Sequence, residues 1–160
     1  FQNLRVFPSL TVQQNIEVAQ HAAGAGGPLH DNFVRNAVAK FNLNDCLNTR
    51  AGNLAYGFLR RLEIVRALAL KPKIIMLDEP AAGMNENETE ALAEALRWLR
   101  QQSDCAMLVI DHDLKFIMAL CDKITVLNMG SVIADGEPNE VATNRQVIDA
   151  YLGEDHTIAV

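Results

Sequence analysis

The stretch Lys73-Ile74-Ile75-Met76-Leu77-Asp78-Glu79-Pro80 constrains this chain more than any other. Four apolar residues run without a break and end on two adjacent carboxylates. An unbroken run of this kind fits a parallel strand buried on both faces. A buried helix segment would have the same composition, but Pro72 and Pro80 bracket the run and leave no room for one. Carboxylates at the carboxyl end of such a strand stand where open α/β sheets place their ligands. One, Asp78, can hold a magnesium ion through its waters, and the next, Glu79, can polarise an attacking water. A strand that simply ends in a polar turn has the same residues.

The chain beyond the run supplies the second half of a unit. Ala81-Ala82-Gly83-Met84-Asn85 reads as a turn, and Glu86 to about Gln102 as an amphipathic helix with Leu92, Ala95, Leu96 and Leu99 on its apolar stripe. Its first turn is acidic, which suits the helix dipole. Met107 to Ile110 is a second apolar run, ending on Asp111-His112-Asp113, with a helix from Leu114 to about Cys121. Strand, long helix and strand make one right-handed parallel crossover. Asp78, Glu79 and His112 are therefore expected at the carboxyl edge of neighbouring strands. A single histidine at a strand end is more often structural. Beside a carboxylate pair it becomes a candidate for chemistry.

The chain ahead of the run is helical. Thr11 with Gln14 has capping-box spacing, and Val12, Ile16 and Ala19 give an apolar side that fades by Ala22-Ala23-Gly24. Residues 23–28 are glycine-rich, but no strand precedes them and no Lys-Ser or Lys-Thr pair closes them, so they read as a linker. Asp31 caps a predicted helix from Asn32 to about Phe41, and 43–47 is a short turn or helix. A loop with two glycines, 50–57, feeds a helix over 58–70. Leu62, Val65, Leu68 and Ala69 share one face of it, and Arg60, Arg61 and Arg66 mostly lie on another. Free backbone N–H groups at such a loop-to-helix junction suit an anion, although an ordinary capped helix has the same pattern. Residues 123–128 and 132–135 read as a hairpin turning at 129–131. Two short helices follow, near 138–142 and 145–152, then a tail over 153–160.

The charge is -6, from 14 basic and 20 acidic residues, which argues against a phosphate-driven nucleic-acid surface. The three cysteines have no CxxC spacing, which points to a reducing compartment without structural disulfides. No apolar run approaches the roughly 18 residues of a membrane span. The chain begins without Met or an apolar leader and is expected to be the inside of a longer protein.

With these residues in place, the chain resembles the nucleotide-binding subunit of ABC transporters over nearly its whole length. Phe1-Gln2-Asn3 looks like the Q-loop. Leu54-Ala55-Tyr56-Gly57, followed by Arg60-Arg61-Leu62-Glu63-Ile64, looks like the signature loop and its helix. Ile74 to Asp78 looks like the Walker B strand, Glu79 like the catalytic carboxylate, 81–85 like the D-loop and His112 like the switch histidine. Leu-Ala-Tyr-Gly and Glu-Pro-Ala-Ala-Gly-Met-Asn look most like the ATPases of branched-chain amino-acid importers. The ending Tyr151 to Asp155 also suits lipopolysaccharide-export ATPases.

The resemblance implies an α/β fold: part of a P-loop NTPase (RecA-like) parallel sheet, a helical subdomain, and a C-terminal hairpin with short helices. Residues 1–8 would be the Q-loop region, 9–70 the helical subdomain with signature loop and helix, 71–152 the RecA-like part and 153–160 a tail. It implies ATP and Mg²⁺ as ligands, with Gln2 and Asp78 toward the metal and Glu79 and His112 catalytic. Gln2, Leu54, Ala55, Tyr56, Gly57 and Asn85 would contact nucleotide. It implies a head-to-tail second ATPase subunit and transmembrane permease subunits as partners. The place would be cytoplasmic, on the inner face of the plasma membrane.

The sequence departs from the family in several places. None of the nine glycines is followed by lysine, so no Walker A motif is present, and the chain alone is expected not to hydrolyse ATP. Ala55 stands where the wider family often has serine, and Phe58 and Leu59 where glutamines are expected. Asp111 replaces a glutamate. A non-catalytic interaction fragment is the competing reading. A DNA-repair ATPase is disfavoured by the acidic balance and the lack of long heptad repeats. Without its phosphate-loop strand the sheet should bare apolar faces, which favours association with another chain.

Overall fold

The computed structural model describes residues 5–24 and 31–152. The chain divides into two units after Ile110. The first holds four helices around one core: α1 (Val12–Ala22), α2 (Asn32–Lys40), α3 (Tyr56–Ala69) and α4 (Glu86–Gln102). Its strands are β1 (Ile74–Asp78) and β2 (Ala106–Ile110). The second unit holds α5 (Leu114–Leu120), the strands β3 (Ile124–Asn128) and β4 (Ser131–Gly136), and then α6 (Pro138–Ala142) and α7 (Arg145–Val147).

Local chemistry explains the helix starts. The Thr11 side chain accepts from Gln14 N–H and the Gln14 side chain accepts from Thr11 N–H, closing the predicted capping box. Asp31 caps α2 through Phe33 N–H. Asn85 and Glu88 form a second capping box at α4. The apolar stripes meet in the core: Val12 and Ile16 of α1, Val34 and Val38 of α2, Leu62 and Val65 of α3, and Leu96 and Leu99 of α4 are all buried. Phe33 stacks on Trp98 at 5.8 Å, fastening α2 to α4. Lys71 reaches Asp31 at 2.8 Å, tying the end of α3 to the start of α2.

Buried Asn15 organises the approach to α1. Its side chain accepts from Phe7 N–H and donates to the carbonyls of Phe7 and Thr11. Arg66 of α3 donates to the Asn15 carbonyl and lies 4.9 Å from the centre of the Phe7 ring.

β1 and β2 pair in parallel, with Ile74 opposite Ala106 and Asp78 opposite Ile110. The burial alternates, which corrects the expectation of strands covered on both faces. Ile75 and Leu77 are buried. Ile74 is 61% exposed, Met76 70%, Leu108 49% and Ile110 57%. The register puts these four on one face of the sheet, with Asp78 at its end. The physical reason is that a parallel pair needs a layer on each side. The described residues supply one.

In the second unit, β3 and β4 form the predicted antiparallel hairpin. Met129 (φ 48) and Gly130 (φ 79) make a tight turn of left-handed residues, the kind that matches the twist of the flanking strands. Ser131 already belongs to β4. Tyr151 donates its hydroxyl to the Leu127 carbonyl.

Candidate functional site

β1 delivers its two carboxylates to a strained turn. Glu79 has φ 45, a left-handed conformation that costs an L-residue roughly 1–2 kcal/mol. It is held there by its N–H, which donates to the Ile110 carbonyl at 2.7 Å, and by Ala82 N–H, which donates back to the Glu79 carbonyl at 3.1 Å. Strain of this kind gathers at functional sites. Asp78 is exposed at the end of the bare sheet face, and Glu79 is half-buried beside it. Asn85 closes the turn, with its side-chain oxygen accepting from Glu88 N–H at 3.0 Å.

The predicted signature loop follows a short helical turn at Ala51–Asn53. α3 then begins at Tyr56, two residues earlier than predicted, so Tyr56 and Gly57 belong to its first turn and Ala55 is the N-cap. Alanine has no oxygen to offer, and no side chain caps this helix. Phe58 N–H turns back to the Ala55 carbonyl, which leaves the N–H groups of Tyr56 and Gly57 to face an anion. Leu54 precedes the cap, half-buried, and Ala55 and Tyr56 are exposed.

This helix start meets the turn after Glu79. A Cβ built on Gly83 (φ 75) would lie 3.6 Å from Tyr56 Cε1. One built on Gly57 would lie 3.3 Å from Glu88 Oε1, so glycine suits this close approach. Two of the arginines set apart from the apolar stripe are not at the surface. Arg60 and Arg61 are both 7% exposed. Arg60 donates to the Tyr56 hydroxyl at 3.1 Å and pairs with Glu63 at 3.3 Å. Arg61 lies 5.3 Å from the centre of the Phe58 ring. The aromatic at 58 thus has a local partner on its own helix. Tyr56, Arg60 and Glu63 stand at i, i+4 and i+7, and that spacing was the signal available in the sequence.

His112 is the second residue of the second unit. Its side chain is 74% exposed, with Nδ1 3.7 Å from Asp111 Oδ1. Asp111 Oδ1 accepts from Asp113 N–H at 3.0 Å, and Oδ2 is buried with no hydrogen-bond partner among the described residues. Gln2 lies outside the described residues. Among these residues no cluster of three His, Cys, Asp or Glu side chains could hold a metal. The Asp78 carboxylate, exposed at the end of β1, still fits Mg²⁺, which binds through one or two carboxylates and fills its shell with water and substrate phosphate oxygens.

Comparison with known proteins gives this arrangement its context. The ABC transporter family matches residues 1–82. The chain belongs to the ABC transporter ATP-binding family. A second family, described as branched-chain amino acid ATP-binding cassette transporter, matches residues 131–157. The chain is 40% identical to the high-affinity branched-chain amino acid transport ATP-binding protein BraF of Pseudomonas aeruginosa, over 96% of this chain and 66% of BraF. It is 40% identical to LivG of Escherichia coli over the same shares. The lipopolysaccharide export ATP-binding protein LptB of E. coli is more distant, at 30% over 96% of this chain and 64% of LptB. Among solved structures, cbiO1 of Clostridium perfringens, part of an ABC transporter complex, superposes with a TM-score of 0.74. It is 25% identical over 91% of this chain and 57% of its own. The chain thus spans 66% of the length of its branched-chain relatives. The identity to these branched-chain amino acid transport ATP-binding proteins exceeds that to LptB, and the fold is the α/β fold expected of a partial P-loop NTPase.

Proposed function

We propose that this chain works in the ATP-hydrolysing subunit of an importer for branched-chain amino acids. The observation that supports it best is the parallel register, which puts Asp78 and Glu79 at the carboxyl edge of β1, beside the last residue of β2. Asp78, with Gln2, would hold the metal through its water. Mg²⁺, when bound, neutralises charge on the phosphates. Glu79 polarises the attacking water, and its strained backbone keeps the carboxylate from relaxing into an extended strand. His112 contacts the terminal phosphate. Phosphoryl transfer asks mainly for such positioning.

ATP lies between two subunits arranged head to tail. The start of α3, with Leu54, Ala55, Tyr56 and Gly57, closes over the phosphate held by the partner, and Asn85 ends a turn at the same interface. Permease subunits in the membrane dock on the helical subdomain, 9–70, and Gln2. No helix among the described residues is long and apolar enough to cross a membrane. A place on the inner face of the plasma membrane, through those permeases, fits that. The match over 131–157 and the higher identity favour branched-chain import over lipopolysaccharide export.

No Walker A lysine follows any glycine here, so the phosphate cradle must come from outside these residues. The test is therefore a fusion of this chain behind the Walker A segment of E. coli LivG. Glu79→Gln should lower Mg²⁺-dependent ATP hydrolysis about a hundredfold or more while ATP still binds. Unchanged hydrolysis in that variant would remove Glu79 from the mechanism.

A further inference from the structure

A line of side chains runs along α3 and joins two segments far apart in sequence. Arg5 N–H donates to Glu63 Oε1 at 3.0 Å. The other oxygen, Glu63 Oε2, accepts from Arg60 at 3.3 Å. Arg60 Nε donates to the Tyr56 hydroxyl at 3.1 Å, and its guanidinium lies 5.5 Å from the centre of the Tyr56 ring. The Tyr56 ring in turn covers the backbone of Gly83. The links through Glu63 and Arg60 are charge-assisted and directional, and Arg60 is buried.

Both ends are suited to a relay. At one end, residues 5–7 are pinned to α3 separately by Arg66, which donates to the Arg5 carbonyl and stacks on Phe7. At the other, Gly83 has no side chain of its own, and its left-handed φ of 75 lies in the turn between Glu79 and the Asn85–Glu88 capping box. A side chain added at Gly83 would stand 3.6 Å from the Tyr56 ring, so the ring borders this turn.

We propose that Glu63, Arg60 and Tyr56 are positioning residues. They set the conformation of turn 81–85 according to the position of residues 5–7. Its meaning for transport rests on the function proposed above, because 81–85 carries Asn85 and adjoins Glu79. The coupling itself is a property of the folded chain. Glu63 is the informative residue, for its carboxylate bonds Arg5 N–H and Arg60 while Tyr56 is the member of the line that lies beside Gly83.

Hydrogen exchange followed by mass spectrometry on the 160-residue chain tests this without nucleotide, so the outcome is independent of the ATPase assignment. The amides of Ala82 and Met84, which close the turn, are the reporters. Glu63→Gln should speed their exchange about threefold, and Tyr56→Phe, which removes only the hydroxyl, should do the same. The double variant should exceed neither single, because both cut one line. Exchange in α2 and in the second half of α4 should not change. Wild-type exchange at Ala82 and Met84 in Glu63→Gln overturns the relay. So does a double variant whose effect is the product of the singles. Should Glu63→Gln loosen α2 as well, Tyr56→Phe decides by the same amides, and no change there overturns the proposal.

Discussion

In the helical layer of the first unit, Val12, Ile16, Val34, Leu62 and Val65 are wholly buried. In the sheet of the same unit, Ile74, Met76, Leu108 and Ile110 stand in solvent. The residue types are the same and the outcome is opposite. Each helix presents one apolar stripe, and a neighbouring helix suffices to cover it. A parallel strand pair presents two apolar faces and needs two layers. The helices therefore find their partners within the described residues, and the sheet finds half of its own. Asp78 ends the uncovered face, so the ligand edge and the bare surface are one region of the molecule.

The largest expected effect separates these two regions directly. Leu62→Ala should cost about 2–5 kcal/mol in urea unfolding, because it opens a cavity among α1, α2 and α3. Met76→Ser, on the bare face, should change stability by no more than about 0.5 kcal/mol. Equal losses would erase the distinction. Met76→Lys gives a second readout, since a charge on that face should lower the mean mass seen by light scattering if the face drives association.

A smaller effect of opposite sign comes from the end of the sheet. Glu79 holds φ 45 without being glycine. Glu79→Gly should relieve that strain and gain up to about 1 kcal/mol, after the extra chain entropy of glycine is offset. Glu79→Ala, which keeps the Cβ, should gain nothing. A stabilising change at the proposed catalytic position would mark the site as strained for function and the helical layer as relaxed.

How far the sequence carried the fold follows the same division. Thr11 with Gln14, and Asp31 ahead of an apolar stripe, announce helix starts because capping is a local transaction between residues two or three apart. The hairpin was legible through Met129-Gly130, and β1 through its bracketing prolines. The single-sided burial of β1 was not, because an apolar run records what a strand can bury and not what is there to cover it. The interior position of Arg60 and Arg61 was missed for a related reason. The sequence sets these arginines apart from the apolar stripe, and their burial follows only once Glu63, Tyr56 and Phe58 are recognised as their partners. At the site, Asp78 and Glu79 were readable from the run that carries them. The contact of Tyr56 with Gly83 joins residues distant in sequence and has no local signature.

The smallest effect lies at the rim of the helical layer. Lys71 beside Asp31 holds that carboxyl below its ordinary value of 3.8, against a partial desolvation that raises it. A depressed carboxylate contributes stability that is present above its unfolded value and lost as pH falls. Asp31→Asn keeps a capping oxygen but deletes the charge. The difference from wild type should be only about a few tenths of a kcal/mol at neutral pH, since the pair is solvent-screened. It should close as pH drops below 3.8. A difference that grows on acidification would reverse the assignment.

Light scattering on the Walker A fusion bearing Glu79→Gln tests the central claim most directly, namely that β1 delivers a catalytic carboxylate to ATP shared by two subunits. With hydrolysis blocked, Mg²⁺-ATP should hold two copies together and double the mass, and the nucleotide-free sample should not show that doubling. The same mass with and without bound ATP would contradict the account.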